Sequence, residues 1–439
     1  MMPKPFTLAK DLLLGCATAA TQIEGGDTSH NWYDWCEKGH IKDGTSCLHA
    51  DDHYRLYKED IALMKEMGLE IYRMGVEFSR IMPEQDRFDQ DAIAHYKDEL
   101  RLLRENGIRV LVTLHHFSNP MWFEKMGAFA HPGCVDIFVR YVRYVVEQLG
   151  DLCCEYVTIN EPNVYAVNGY LFGEWPPGEK SLTKTLKIMK NMARAHIAAY
   201  KAIHEVRTAC GFAGDTKVGF ANNLRVFVPK RSASPIDRFA AKLFDRAYQA
   251  ANTDAMVWGK FSFPLGLFGR KKGMYCDYFG INYYTRSATQ GFRDTTLADV
   301  AVNDLGWELY PEGLGILCSR FYARYGLPVW VTENGTCDGK DRFRTRYIYD
   351  HLKVLSETDA PVERYYHWTL MDNFEWVEGL SARFGLVQVD YDTQKRTIRQ
   401  SGRFYCAVIR NKAVTEKMCG EFLPEAVSVT DNTGADTNR

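Results

Sequence analysis

Eight short apolar runs, most of them separated by an amphipathic stretch, constrain this chain more than any other feature. The runs are Leu12–Thr21, Ile71–Phe78, Arg109–Leu114, Glu155–Ile159, Lys217–Ala221, Tyr278–Tyr283, Pro328–Thr332 and Arg364–Leu370. Between most of them apolar residues recur every three or four positions, which is helix periodicity. In His53–Met67 they are Tyr54, Leu56, Tyr57, Ile61, Leu63, Met64 and Met67; Ala92–Glu105, Val135–Leu149, Leu182–Arg207, Ser234–Val257 and Gly313–Tyr325 follow suit. Alternating strands and helices imply parallel pairing, and near-continuous apolar strands imply burial on both faces. Eight such units fit an α/β fold closed as a single (β/α)8 TIM barrel. An open doubly wound sheet fits less well, and no G-x-G-x-x-G follows any run. Gly- and Pro-rich punctuation, such as Pro176-Pro177-Gly178 and Pro264-Leu265-Gly266, is scattered and reads as loops. The expected layout is one barrel over 1–427 with a polar, frayed tail over 428–439.

Charge narrows the partners. With 54 Lys+Arg against 56 Asp+Glu the formal net charge is −2, so neither nucleic acid nor an anionic membrane is expected. No apolar run approaches the roughly 18 residues of a membrane span. Leu13-Leu14-Gly15-Cys16 imitates a lipoprotein box, but Asp11 leaves the apolar stretch before it too short for a leader, so it reads as the first strand. The 12 cysteines show no paired spacing, which suggests reduced thiols and a cytoplasmic setting. His49 and His53 form an H-x-x-x-H pair without the glutamate of a zinc protease and read as structural, so no metal is expected. Nothing specifies an oligomer. Aromatic residues, at 13 %, call for a core, an interface or a sugar-like ligand.

In such a barrel, chemistry gathers at the C-terminal ends of the strands. Gln22 and Glu24 follow the first run, Arg73 lies on the second, and His115-His116 end the third. Asn160-Glu161-Pro162 follow the fourth, Asn282-Tyr283-Tyr284 end the sixth, and Glu333-Asn334-Gly335 the seventh. The eighth carries Trp368 and leads to Asp372-Asn373-Phe374-Glu375-Trp376. Polar residues collect at strand ends anyway, but this ring is too rich in carboxylates, amides and aromatics for that alone. Glu161 and Glu333 would face each other across one mouth, and two carboxylates flanking a bond are the parts of a glycoside hydrolase. Amides and carboxylates grip hydroxyls, and indole faces take the C–H side of a pyranose.

At these residues the chain resembles the family-1 glycoside hydrolases, the β-glucosidase and β-galactosidase group, from about Leu14 to Tyr405. Thr158-Ile159-Asn160-Glu161-Pro162 matches the family's acid/base strand and Val331-Thr332-Glu333-Asn334-Gly335 its nucleophile strand. Phe117, Asn163 and Val76-Glu77-Phe78-Ser79-Arg80 look more like the archaeal-type branch. The resemblance implies that Glu333 attacks the anomeric carbon while Glu161 serves as acid and then base. Arg73 would favour the ionised form of Glu333, and Tyr284 would hydrogen-bond it. Retention of configuration and a carboxyl separation of about 5–5.5 Å follow. By the same resemblance Gln22, His116, Asn160, Asn282, Trp368, Glu375, Trp376 and Phe384 bind the sugar, Asn160 at the 2-hydroxyl and Glu375 at the 4- and 6-hydroxyls. No cofactor is implied.

The expected activity is exo-β-glucosidase, with tolerance for β-galactosides or fucosides. A transglycosidase with the same pair and a sugar-binding pseudoenzyme are the alternatives. Glu161 argues against a thioglucosidase. Glu375, with no Lys in Val377–Ala382, argues against 6-phosphosugars. His115, Asp60, Glu77 and Glu378 read as framework or solvated groups and Cys337 as an inert thiol. Trp307 reads equally as core or as pocket entrance.

Overall fold

Val, Ile, Leu and Tyr dominate both faces of the short central strands, and the chain meets that demand by closing the sheet on itself. A computed structural model describes residues 3–423. The barrel strands are β1 (Leu13–Ala17), β2 (Ile71–Gly75), β3 (Arg109–Thr113), β4 (Glu155–Asn160), β5 (Lys217–Pro229), β6 (Phe279–Gln290), β7 (Val329–Asn334) and β8 (Val362–Trp368). Each pairs in parallel with its sequence neighbours, and β8 pairs with β1 to complete the ring. This is the closed α/β barrel expected from the alternation.

The helices form an outer layer. They are α1 (His53–Met67), α2 (Gln90–Glu105), α3 (Cys134–Leu149), α4 (Leu182–Cys210), α5, α6 (Glu312–Tyr325), α7 (Arg344–Ser356) and α8 (Gln400–Asn411). The segment α5 runs as Pro235–Phe244, a π-helical turn Asp245–Ala250, and Ala251–Trp258. Between the layers Phe279 stacks on Phe321 of α6 at 4.8 Å. The floor of the barrel is closed by an ionic plug in which Arg364 reaches the buried Glu155 at 2.6 Å, with Arg109 on the same carboxylate. Below it, Phe6–Thr7 pairs antiparallel with Ala413–Val414, joining the first and last described segments.

Several boundaries differ from the sequence reading. The first run stops as a strand at Ala17 and turns into a short helix, Ala20–Ile23, which carries Gln22. The second stops at Gly75, and Phe78–Ile81 is helical. β5 and β6 run well past Ala221 and Tyr283, because their extensions pair with each other and β6 with a further strand, Arg293–Thr295. The polar tail expected at 428–439 lies outside the described residues.

Candidate active site

The C-terminal strand ends converge on a pocket of about 850 Å³, part of it open to solvent. Of the residues expected from the sequence, His116, Glu161, Tyr284, Glu333, Trp368, Glu375, Trp376 and Phe384 line it. Gln22, Arg73, Asn160 and Asn282 are fully buried and stand directly behind that wall. Their observed partners are other site residues.

Backbone geometry aims the two central carboxylates. Pro162 opens a short helix, Pro162–Val167, and a following proline disfavours the right-handed helical region for the residue before it. Glu161 adopts the left-handed region instead, with φ of 42°, and its N–H donates to the Ala221 carbonyl at 2.8 Å. On β7, Asn334 bonds the Tyr283 carbonyl and accepts from Tyr365, tying β6 and β8 together beside Glu333. Gly335 is obligatory here, since a Cβ would lie 1.7 Å from the Trp368 carbonyl oxygen.

The carboxyl groups differ in their partners. Glu333 accepts from Arg73 Nη1 at 2.6 Å and from the Tyr284 hydroxyl at 2.5 Å. Among the described residues Glu161 accepts only amide donors, Asn282 Nδ2 at 2.8 Å and Asn223 Nδ2 at 3.2 Å. Burial, and secondly the charge of Glu333, push Glu161 up to about 8. Burial also raises Glu333 above the ordinary carboxylate range, against the opposing charge of Arg73 and the Tyr284 bond. Arg73 thus favours the ionised form, as expected, but burial outweighs it.

Arg73 Nη2 also donates to Asn160 Oδ1 at 2.8 Å, and Asn160 Nδ2 meets His116 Nε2 at 2.9 Å. An amide nitrogen can only donate, so His116 Nε2 is the acceptor and its proton sits on Nδ1, which has no protein partner among the described residues. Burial and then Arg73 hold His116 neutral. Gln22 Nε2 reaches Asn373 Oδ1 at 3.0 Å and the Phe374 carbonyl at 2.8 Å, with Glu375 at 3.3 Å. Its Oε1 is buried without a partner. These unpaired polar atoms suit ligand hydroxyls.

The framework readings divide. His115 turns away from the pocket and bonds Asn119 at 3.0 Å amid Phe129, Phe138 and Tyr165. His53 lies between Asp60 and Glu99. Glu77 accepts from Thr21 at 2.7 Å. Cys337 is buried, its thiol pushed up to about 12 by that burial. Trp307 lines the pocket beside Tyr284 and Phe384. Glu378 also lines it, paired with Lys42. That lysine reaches the rim from a loop far in sequence from Val377–Ala382, as does Trp175, while Asn223 and Arg225 line the pocket from β5. Sequence reasoning passed over all four; Asn223 and Arg225 lie on the part of β5 beyond Ala221, where the apolar run ends.

Residues 4–414 match the family described as Glycosyl hydrolase family 1. The chain belongs to glycosyl hydrolase family 1. This family 1 chain is 32 % identical to Beta-glucosidase A of Acetivibrio thermocellus, over 92 % of its own length and 99 % of the relative's. It is 30 % identical to Beta-galactosidase of Pyrococcus woesei, over 96 % and 100 %. The solved β-glycosidase from Pyrococcus horikoshii superposes with a TM-score of 0.87 at 33 % identity, covering 95 % of this chain and 98 % of that one. The resemblance read from the two glutamate motifs therefore holds across nearly the whole chain. The protein is a glycoside hydrolase of the β-glucosidase and β-galactosidase kind. Among the described residues no helix is long and apolar enough to cross a membrane.

Proposed function

We propose that this family 1 enzyme is a retaining exo-β-glycosidase that hydrolyses terminal non-reducing β-D-glucosides, with tolerance for the galacto or fuco configuration. The observation that carries this reading is the unequal environment of the two carboxyls. Glu333, contacted by a guanidinium and a phenol, is the one equipped to hold negative charge. Glu161, contacted by two amides and pushed up to about 8, is the one equipped to hold a proton at neutral pH.

In the first step Glu333 attacks the anomeric carbon. The C–O electron pair leaves with the aglycone oxygen, which takes the proton of Glu161. Consumption of Glu333 as an ester removes the charge that raises Glu161, so Glu161 becomes an effective base. It then takes a proton from water, whose oxygen bonds to the anomeric carbon as Glu333 departs. Arg73 and Tyr284 stabilise the carboxylate that is released.

The sugar would rest against Trp368 and Trp376, with Glu375 offered to its 4- and 6-hydroxyls. A neutral sugar suits this end, because Lys42, the lysine at this rim, is already paired with Glu378 and is not free to meet a 6-phosphate. The test is a proton NMR time course with an aryl β-glucoside. β-Glucose should appear before α-glucose. Initial α-glucose would refute the double displacement, and absence of turnover on glucosides, galactosides and fucosides alike would leave only sugar binding.

A further inference from the structure

Both amide donors to Glu161 converge on the same oxygen, Oε1. Oε2 meets no protein donor among the described residues. An amide nitrogen donates and does not accept, so a carboxyl proton cannot sit on Oε1 while both amides face it. The far end of each amide decides which way it faces. Asn282 Oδ1 accepts from Thr332 at 2.7 Å, and its Nδ2 also donates to Asn160 Oδ1, which Arg73 holds. Asn223 Oδ1 accepts from the Tyr248 hydroxyl at 2.9 Å and from Arg225 Nε at 3.3 Å. A guanidinium has no acceptor, so turning Asn223 over would set NH2 against NH.

Tyr248 and Arg225 are themselves held by an irregularity shared between two elements. The β5–β6 register shifts between Leu224 and Val226, leaving Arg225 at a bulge. Its backbone N–H donates to Gln249 Oε1 at 2.9 Å, and its carbonyl accepts from Gln249 Nε2 at 3.0 Å. Gln249 belongs to the π-helical turn Asp245–Ala250, and the extra residue of that turn sets Tyr248 beside Asn223. The Arg225 side chain is anchored outward on Asp294 at 2.9 Å.

We propose that Tyr248 and Arg225 are positioning residues for catalysis: by holding Asn223 Oδ1 they keep its amide on Glu161 Oε1, so that the proton given to the leaving group is carried on Oε2. This rests on the reading of Glu161 as acid and base. The proton passes from Oε2 to the glycosidic oxygen as the bond from that oxygen to the anomeric carbon breaks. In the second step Oε2 takes the proton back from water. A bulge between β5 and β6 and a π turn in α5 thereby select one of two chemically equivalent oxygens.

The groups facing Glu161 from the elements around it are Glu333 on β7, Arg73 on β2, Tyr284 on β6, Arg225 on β5 and Tyr248 on the π turn. The test alters Tyr248 and Arg225 together, as Tyr248→Phe with Arg225→Met, and separately replaces Asn223 (Asn223→Asp). Methyl β-glucoside, whose leaving group needs the acid, should lose about tenfold in kcat/KM, and 2,4-dinitrophenyl β-glucoside less than about twofold. The alkaline limb on methyl β-glucoside should move upward by about half a pH unit, since the lost donor stabilised the carboxylate. Asn223→Asp keeps the acceptor for Tyr248 and Arg225 but brings a carboxyl towards Glu161, and should move the limb further in the same direction. Equal losses on both substrates with an unmoved limb in both variants would overturn the proposal. Glu161→Ala is run alongside. If it lacks the same substrate selectivity, the acid/base reading itself falls; if it shows that selectivity and the relay variants do not, only the relay falls.

Discussion

Glu375 sits where burial and then the charge of Glu333 both oppose its ionisation, and its pKa is pushed up to about 8. Unfolded, a glutamate titrates near 4.3. The folded protein therefore holds an extra proton between these values, and stability falls as pH rises from about 4.3 to about 8. Glu375→Gln removes that slope. Its Tm should match the wild type near pH 4 and exceed it by about 2 °C at pH 8, while kcat/KM on glucosides falls roughly 10- to 100-fold with the lost contact. A Tm difference independent of pH would show that the carboxyl is not strained in this way. At this scale the sequence was informative where a residue sits inside a short motif. Glu161 and Glu333 could be found because strand ends mark them. Asn223 and Arg225 could not, because their importance depends on a bulge that no periodicity reports.

His53 joins three elements rather than two atoms. It bonds Asp60 two turns along α1, at 2.8 Å, and Glu99 on α2, at 3.1 Å. Asp60 in turn accepts from Arg396 at 2.8 Å, on the strand Lys395–Ile398. Burial alone would lower the imidazole, but the two carboxylates prevail and raise it to about 10. Its stabilisation is complete below the unfolded value of about 6.5 and is lost as pH climbs through 10. His53→Gln leaves two buried carboxylates short of a cation and should cost about 3 kcal/mol at pH 6, with the gap narrowing towards pH 10 in urea titrations. A constant gap would mean that shape rather than charge matters. Elements were legible where apolar spacing persists, as in α1, whose bounds match the expectation. They blurred where it does not. Ala17-Thr18-Ala19-Ala20-Thr21 suits a strand or a helix equally, and only the need to bring Gln22 to Asn373 and Phe374 decides it. The charged Arg225 and Arg286 hid the extensions of β5 and β6, whose pairing is supplied by each other.

Across the whole molecule the aromatic excess resolves into a cluster assembled from the segments that follow four of the strands. Trp32, Phe117, Trp175 and Trp376 meet with ring centroids 4.7–5.8 Å apart, and His116 and Trp368 continue the cluster into the pocket. Fold class and the gathering of Glu161, Glu333, Trp368 and Glu375 at one mouth could be inferred from sequence because both follow from eightfold alternation. The pocket's outer wall could not, since Trp175 and Lys42 arrive on loops whose paths depend on everything beneath them. Trp175→Ala should destabilise the enzyme by about 3 kcal/mol. If the cluster also orients Trp376 for the sugar, it should lower kcat/KM on glucosides about tenfold, whereas unchanged turnover with lowered Tm would assign the cluster to packing alone.

The ribbon between Phe6–Thr7 and Ala413–Val414 has a practical corollary. It lies below the ionic plug, at the opposite pole from the mouth, and it brings early and late segments of the chain side by side. A tether grafted there, or a fusion partner mounted on it, would hold the enzyme to a solid support with its opening turned to the surrounding liquid. Immobilisation by that pole should therefore leave substrate entry unhindered, while random coupling through surface lysines would also capture Lys42 at the rim.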